Sequence, residues 1–209
     1  MIRLSISPGP GAVSKHFALS QRKMAAGGAE LNQNLSVVGK MKVFDKNGGQ
    51  IDFEDLYRDR KAIIVFVREY VQDLAKIPAS SLEEASVRLV VIGCAPHKFI
   101  KGFITKTGYP YDVYCDSEQV VYKALGMIRS LKTGAGSEHV KSSALSGTLR
   151  STWEGLKSME LQGDVKQQGG QFVIGPGEQL HYAHLDMGST EHAPINTVLE
   201  AAGVKTVVF

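Results

Sequence analysis

The chain has 209 residues, 43% hydrophobic and 22% charged, an ordinary globular composition long enough for one substantial core. Arg3, Lys15, Arg22 and Lys23 stand in the first 29 residues with no acid, leaving 20 basic against 21 acidic groups beyond them. That near-neutral remainder, with no basic face or aromatic–basic interleaving, excludes nucleic acid as an expected partner. No apolar run reaches the roughly 20 residues that cross a bilayer, no signal-peptide core opens the chain, and two cysteines are too few for a disulfide framework.

A soluble protein of a reducing, cytoplasmic compartment is therefore expected, with no membrane partner. The opening stretch, rich in Ser, Gly and Ala and free of acids, has the composition of a mitochondrial transit segment. A disordered tail is the other reading, and Met24 offers a second start. Residues 1–38 are set aside as this flexible tail, and residues 39–209 as one domain.

From Lys40 the pattern sharpens. "KMKVFDKNGGQIDF" places the turn KNGG between two short strand-like runs and reads as a β-hairpin, and "FEDLYRDR" follows as a short charged helix or turn. "AIIVFVR" (62–68) is a continuous apolar, β-branched run that suits a strand covered on both faces. "EYVQDLAKI" sets Tyr70, Val71, Leu74 and Ile77 on one helical face, which Pro78 ends or bends. Strand "RLVVIG" (88–93), helix "HKFIKGFITKTG", strand "YDVYCD" (111–116) and helix "SEQVVYKALGM" (117–127) continue the alternation, which implies βαβ crossovers and a parallel central sheet.

Leu145, Leu149, Trp153 and Leu156 recur at helical spacing and read as a core-facing stripe. "GGQFVIGPGEQLHYAHLD" gives strand, turn and strand, an antiparallel hairpin that closes the sheet. "APINTVLEAAGV" is a final helix, with Pro194 near its first turn and Gly203 past its end. An early βαβ half joined to a later ββα half is the α/β arrangement of the thioredoxin-like fold, a central mixed sheet flanked by helices.

Six segments, "VREYVQDLAKIP", "LVVIG", "YDVYCDSEQVVYKALGM", "HVKSSALSGTLRSTW", "QGDVKQQGGQFVIGPGEQLHYAHLD" and "HAPINTVLEAAGV", together resemble the peroxiredoxin-like 2 family. That family carries the alkyl hydroperoxide reductase/thiol-specific antioxidant domain on a thioredoxin-like fold. The resemblance runs from about Gly39 to the end and implies thiol redox chemistry. It implies a Cys-x-x-Cys segment between the strand matching "IIVFVR" and the helix matching "EYVQDLAKIP". A cysteine there would meet unpaired backbone N–H groups and the positive end of the helix dipole, which favour the nucleophilic thiolate.

In this chain Arg68 is followed directly by Glu69, and no residue inherits the role. The residues themselves point to the same gap. A βα connection normally takes about 2–6 residues and favours Gly, Pro, Asn, Asp or Ser, and "VREYV" supplies none of them. Either the strand end or the first helical turn must unwind to make the turn, at about 0.5–1.5 kcal/mol for each backbone hydrogen bond lost.

Two residues are weak candidates for a site. Cys94 ends a strand near a helix start, with Pro96, His97 and Lys98 close by, surroundings that lower a thiol pKa. The competing reading is a half-buried small residue. Arg68 ends the central strand and could stabilise an anion, although a solvated strand-end arginine is the simpler reading. Cys115 is followed by Asp116 and Glu118, whose charge disfavours thiolate. A Cys94–Cys115 disulfide is conceivable if their strands are neighbours. His181 and His184, three apart on a strand, point to opposite faces and make a poor metal pair. No metal and no cofactor is expected.

Two functions follow: a peroxiredoxin-like antioxidant-family protein without its redox centre, acting as a binding or regulatory scaffold, or a thiol oxidoreductase working through Cys94. The expected partner is a protein thiol reductant or a regulatory protein, and the oligomeric state stays open.

Overall fold

In the computed structural model, the residues described are 34–66, 71–129, 164, 166–188 and 192–208. Among them, seven strands form one mixed sheet in the order β2-β1-β5-β4-β3-β6-β7. The strands are β1 (Lys42–Phe44), β2 (Gln50–Asp52), β3 (Ala62–Phe66), β4 (Arg88–Gly93), β5 (Asp112–Cys115), β6 (Gly170–Ile174) and β7 (Leu180–Leu185). Residues 34–38 are helical, and the further α-helices are α1 (Val71–Leu74), α2 (Ala79–Glu84), α3 (Ile100–Thr107), α4 (Val120–Ala124) and α5 (Ile195–Ala202). The expected thioredoxin-like, α/β architecture is present, with parallel pairs β3–β4 and β4–β5 and antiparallel pairs β3–β6 and β6–β7.

Central strand β3 is buried at all five positions, and its alternate residues serve two cores. Ile63 and Val65 join Val71, Leu74, Ile77, Leu82, Ile195, Val198 and Leu199 on one face. Ala62, Ile64 and Phe66 join Phe53, Leu56, Tyr57, Val121, Tyr122 and Phe172 on the other. Phe66 anchors an aromatic group there, its ring 4.8 Å from Tyr122 and 5.6 Å from Phe172, both edge to face.

Several boundaries shift from the sequence reading. Leu35 and Val38, within the stretch set aside as a tail, are each 1% exposed in the second core, so packed structure begins before residue 39. Among the described residues β3 is paired over Ala62–Phe66 and α1 spans Val71–Leu74; Arg68 and Tyr70 lie outside the described residues. The helix expected from His97 opens as a 3-10 turn over His97–Phe99 before α3, and Gly108, at φ 65°, closes it in the left-handed conformation. The helix expected from Ser117 starts only at Val120, because Gln119 takes a left-handed φ of 58°.

The first helix, expected to run to Ile77, ends at Leu74 and continues only as turns, and Pro78 instead opens α2 in extended conformation, a helix the small polar run "ASSLEE" did not advertise. Pro194 and Gly203 bound α5 as expected, Gly203 at φ 80°. The stripe of Leu145, Leu149, Trp153 and Leu156 lies outside the described residues.

Candidate functional site

The carboxyl ends of β3, β4 and β5 share one edge of the sheet, the place where an α/β fold mounts its chemistry. Phe66 ends β3, Cys94 follows β4, and Cys115–Asp116 end β5. The antiparallel neighbour β6 begins at the same edge, because Gly170 pairs with Phe66 and Gln171 with Val65.

Cys94 is 5% exposed and packs in the core that contains Phe66, Tyr122 and Met127. Its Sγ lies 4.0 Å from the Asp164 carbonyl oxygen. Contacts of the neighbouring bases lead elsewhere: the His97 ring stacks on Phe44 with centroids 6.5 Å apart, and the Lys98 ammonium stands 4.9 Å from the Phe99 ring centroid.

Cys115 is 2% exposed, and burial, with Asp116 beside it, pushes its thiol up to about 11. The two cysteines are not joined in a disulfide. Their strands are neighbours, but Cys115 pairs with Gly93, so the alternation of the pleat turns Cys94 toward the other face.

Asp116 is only 1% exposed and is used structurally. It accepts the backbone N–H groups of Val120, Val121 and Tyr122 at 3.0, 2.8 and 3.1 Å, which satisfies the start of α4. Burial raises its carboxyl above the ordinary value, against the pull of those three donors. Tyr122 in turn donates its hydroxyl to the Ile92 carbonyl at 2.9 Å.

A second polar group at this edge was not anticipated from the sequence. Gln171, fully buried in β6, places its Nε2 3.2 Å from Asp186 Oδ1 and its Oε1 3.1 Å from the Ala193 backbone N–H. His192 Nδ1 is 2.8 Å from Asp186 Oδ2, and His184 Nε2 is 3.6 Å from Asp186 Oδ1. Asp186 itself is 1% exposed. Its N–H donates to the Gly169 carbonyl at 3.1 Å, which ties the cluster to the residue packed against Phe66.

A polar Gln inside the apolar run "GGQFVI" was the available signal. His181 and His184 do separate: His181 Nε2 meets the Gly175 carbonyl at 2.7 Å, while His184 turns to Asp186. Among the described residues no group of three His, Cys, Asp or Glu could hold a metal ion.

The chain is similar to known proteins in family and in fold. The family described as AhpC/TSA antioxidant enzyme matches residues 73–188. The chain is 41% identical over 217 positions to Peroxiredoxin-like 2C of Bos taurus, covering 98% of this chain and 94% of that protein. Peroxiredoxin-like 2C of Homo sapiens is 41% identical over 198 positions, 88% of each chain. Among solved structures, the peroxidoxin BcpB from Mycobacterium tuberculosis superposes with a TM-score of 0.52 at 13% identity, covering 78% of this chain and 89% of that one.

Proposed function

Because the chain belongs to the AhpC/TSA antioxidant enzyme family, as a peroxiredoxin-like protein, we propose that it keeps that family's scaffold without a thiol at the redox position and works as a binding or regulatory protein. One observation carries this reading. The chain has two cysteines, they stand after β4 and at the end of β5, and they are 5% and 2% exposed. A nucleophilic thiolate needs access and a setting that favours its charge. Cys115 has the opposite setting, and Cys94 is enclosed in an aromatic and aliphatic core.

The bovine match supports the same view, since it extends over 217 positions and this chain has 209 residues, so the relative carries residues with no counterpart here. We place them between Arg68 and Glu69. The partner on this reading is a protein thiol reductant or a regulatory protein docking at the carboxyl edge, in the cytoplasm.

The test is peroxide consumption driven by a thioredoxin or glutathione reducing system, with the chain and its Cys94→Ser variant side by side. Neither should exceed the rate without protein. Turnover that disappears in Cys94→Ser would establish the competing reading, thiol chemistry through Cys94, which its place at the end of a strand adjoining β3 favours. The intact mass of the endogenous protein checks the gap itself: agreement with 22.7 kDa, after any N-terminal processing, means that no segment is missing from this sequence.

A further inference from the structure

We propose that the outward face of α3, with the adjoining turn between β1 and β2, is a docking surface for an acidic protein segment, one rich in Asp and Glu. This rests on the reading above that a partner docks at the carboxyl edge, and it names the chemistry of that partner.

The fold builds here a basic face that the near-neutral balance of the chain did not announce. Residues 85–111 contain no acid, and they hold Arg88, Lys98, Lys101 and Lys106. Helical spacing divides the segment: Ile100 is buried and Phe103 packs against the first core, while His97, Lys98, Lys101, Thr105 and Lys106 are exposed. The turn between β1 and β2 adds Lys46, also exposed, because it leans on the start of this helix. A Cβ on Gly48 would stand 3.0 Å from His97 Nε2, and the His97 ring stacks on Phe44. α3 follows the carboxyl end of β4, so the face opens on the edge already described.

Pairing sets these lysines apart. Lys40, Lys42, Arg58, Lys76, Arg88 and Lys205 each reach a carboxylate at 2.6–2.8 Å. Among the described residues, none of Lys46, Lys98 and Lys101 pairs with a carboxylate; the Lys98 ammonium lies over the Phe99 ring instead. The acid of the neighbouring turn, Asp45, is committed to the Asn47 and Gly49 N–H groups, each at 2.8 Å.

Nor does the fold gain from the placement. His97, Lys98 and Lys101 stand in the first turns of the helix, at the positive end of its dipole, where acids stabilise and cations do the reverse. Charge held against the preference of its own helix, and left uncompensated, favours an anionic surface brought from outside.

An acidic segment fits this face better than other polyanions. The outward face carries no arginine, and its exposed ring, His97, already stacks on Phe44, so nucleic-acid bases have no platform. None of the exposed large apolar residues among those described lies on α3, so the face has nothing to bury in a bilayer.

The experiment titrates a fluorescein-labelled peptide of repeated Glu-Gly with the whole chain and reads fluorescence anisotropy, with the matching Gln-Gly peptide as the uncharged control. The Glu peptide should bind, more weakly as salt rises, and the Gln peptide should not. Lys98→Gln/Lys101→Gln should weaken binding about five-fold or more. Lys76→Gln/Lys205→Gln, which removes the same charge from paired sites, should change it less than about two-fold. The urea midpoint of Lys98→Gln/Lys101→Gln should hold or rise; a fall would mean that the lysines serve the fold, and would overturn the proposal. Equal weakening by the two double variants, or no binding of the Glu peptide, overturns it as well. So does a single-stranded oligonucleotide or a phosphatidylserine vesicle that binds more tightly than the peptide through Lys98 and Lys101. Peroxide turnover by the same preparation refutes the scaffold reading and leaves the surface standing, which tells the two failures apart.

Discussion

Gly169 and Phe66 meet backbone against backbone, with no room for a single methyl group between them. This contact lets β6 start pairing with β3 at Gly170 while Asp186 reaches the same corner. Gly169→Ala should force the end of β3 away from β6 and cost about 3 kcal/mol, at the upper end of ordinary overpacking. Urea denaturation measures it; an unchanged midpoint would mean that the strand end yields freely.

Cys115 should make stability depend on alkaline pH. Its thiol, ordinarily near 9.0, is pushed up to about 11 by burial and Asp116. The unfolded chain therefore releases this proton first as pH rises. The contribution is complete below pH 9 and is lost as pH climbs toward 11. Cys115→Ala should flatten the stability profile in that window, where Tyr109 and Tyr122, also raised by burial, add a slope of the same sign. A variant whose profile keeps the wild-type slope would rule out this assignment.

Asp116 is worth more than an ordinary helix cap, because one buried carboxylate serves three N–H groups. Asp116→Ala should destabilise by about 2–3 kcal/mol, since the start of α4 is left unsatisfied where water does not reach. Asp116→Asn, which keeps one acceptor oxygen, should lose roughly half as much. Thermal unfolding of the two variants should therefore separate by several degrees.

Leu74 holds the shortest helix of the layer to the sheet, 3% exposed against Ile63, Val65 and Leu199. Leu74→Ala should cost about 3 kcal/mol, because it enlarges a cavity that already exists. Circular dichroism at 222 nm should fall only slightly, as α1 has four residues.

What the sequence disclosed and what it hid divide by the range of the interaction. The observed limits of β4, Arg88–Gly93, match the sequence reading, because a short run of apolar, largely β-branched residues between an arginine and a glycine is a local signal. Pro194 and Gly203 marked α5 for the same reason. The start of α4 was misplaced by three residues because the left-handed turn at Gln119 depends on Asp116 reaching forward to three amides.

The site was harder still. Gln171, Asp186 and His192 are separated by 15 and 6 residues, and they meet only because β6 and β7 pair and α5 folds back over them. His181 and His184 drew notice by their spacing, yet their partners are a carbonyl at a turn and the margin of a carboxylate.

The five residues of β3 have a paired neighbour on both sides, parallel β4 and antiparallel β6, whereas the helix that follows is a single turn. Amide hydrogen exchange should therefore change steeply across a few residues. Ile63, Ile64 and Val65 should exchange only when the whole domain opens, and Val71 to Leu74 through cheap local fraying. On that outcome the carboxyl edge is a mechanical boundary, rigid on its strand side and yielding on its helix side. A partner or an inserted segment could be accommodated there by moving one short helix, without loosening the sheet.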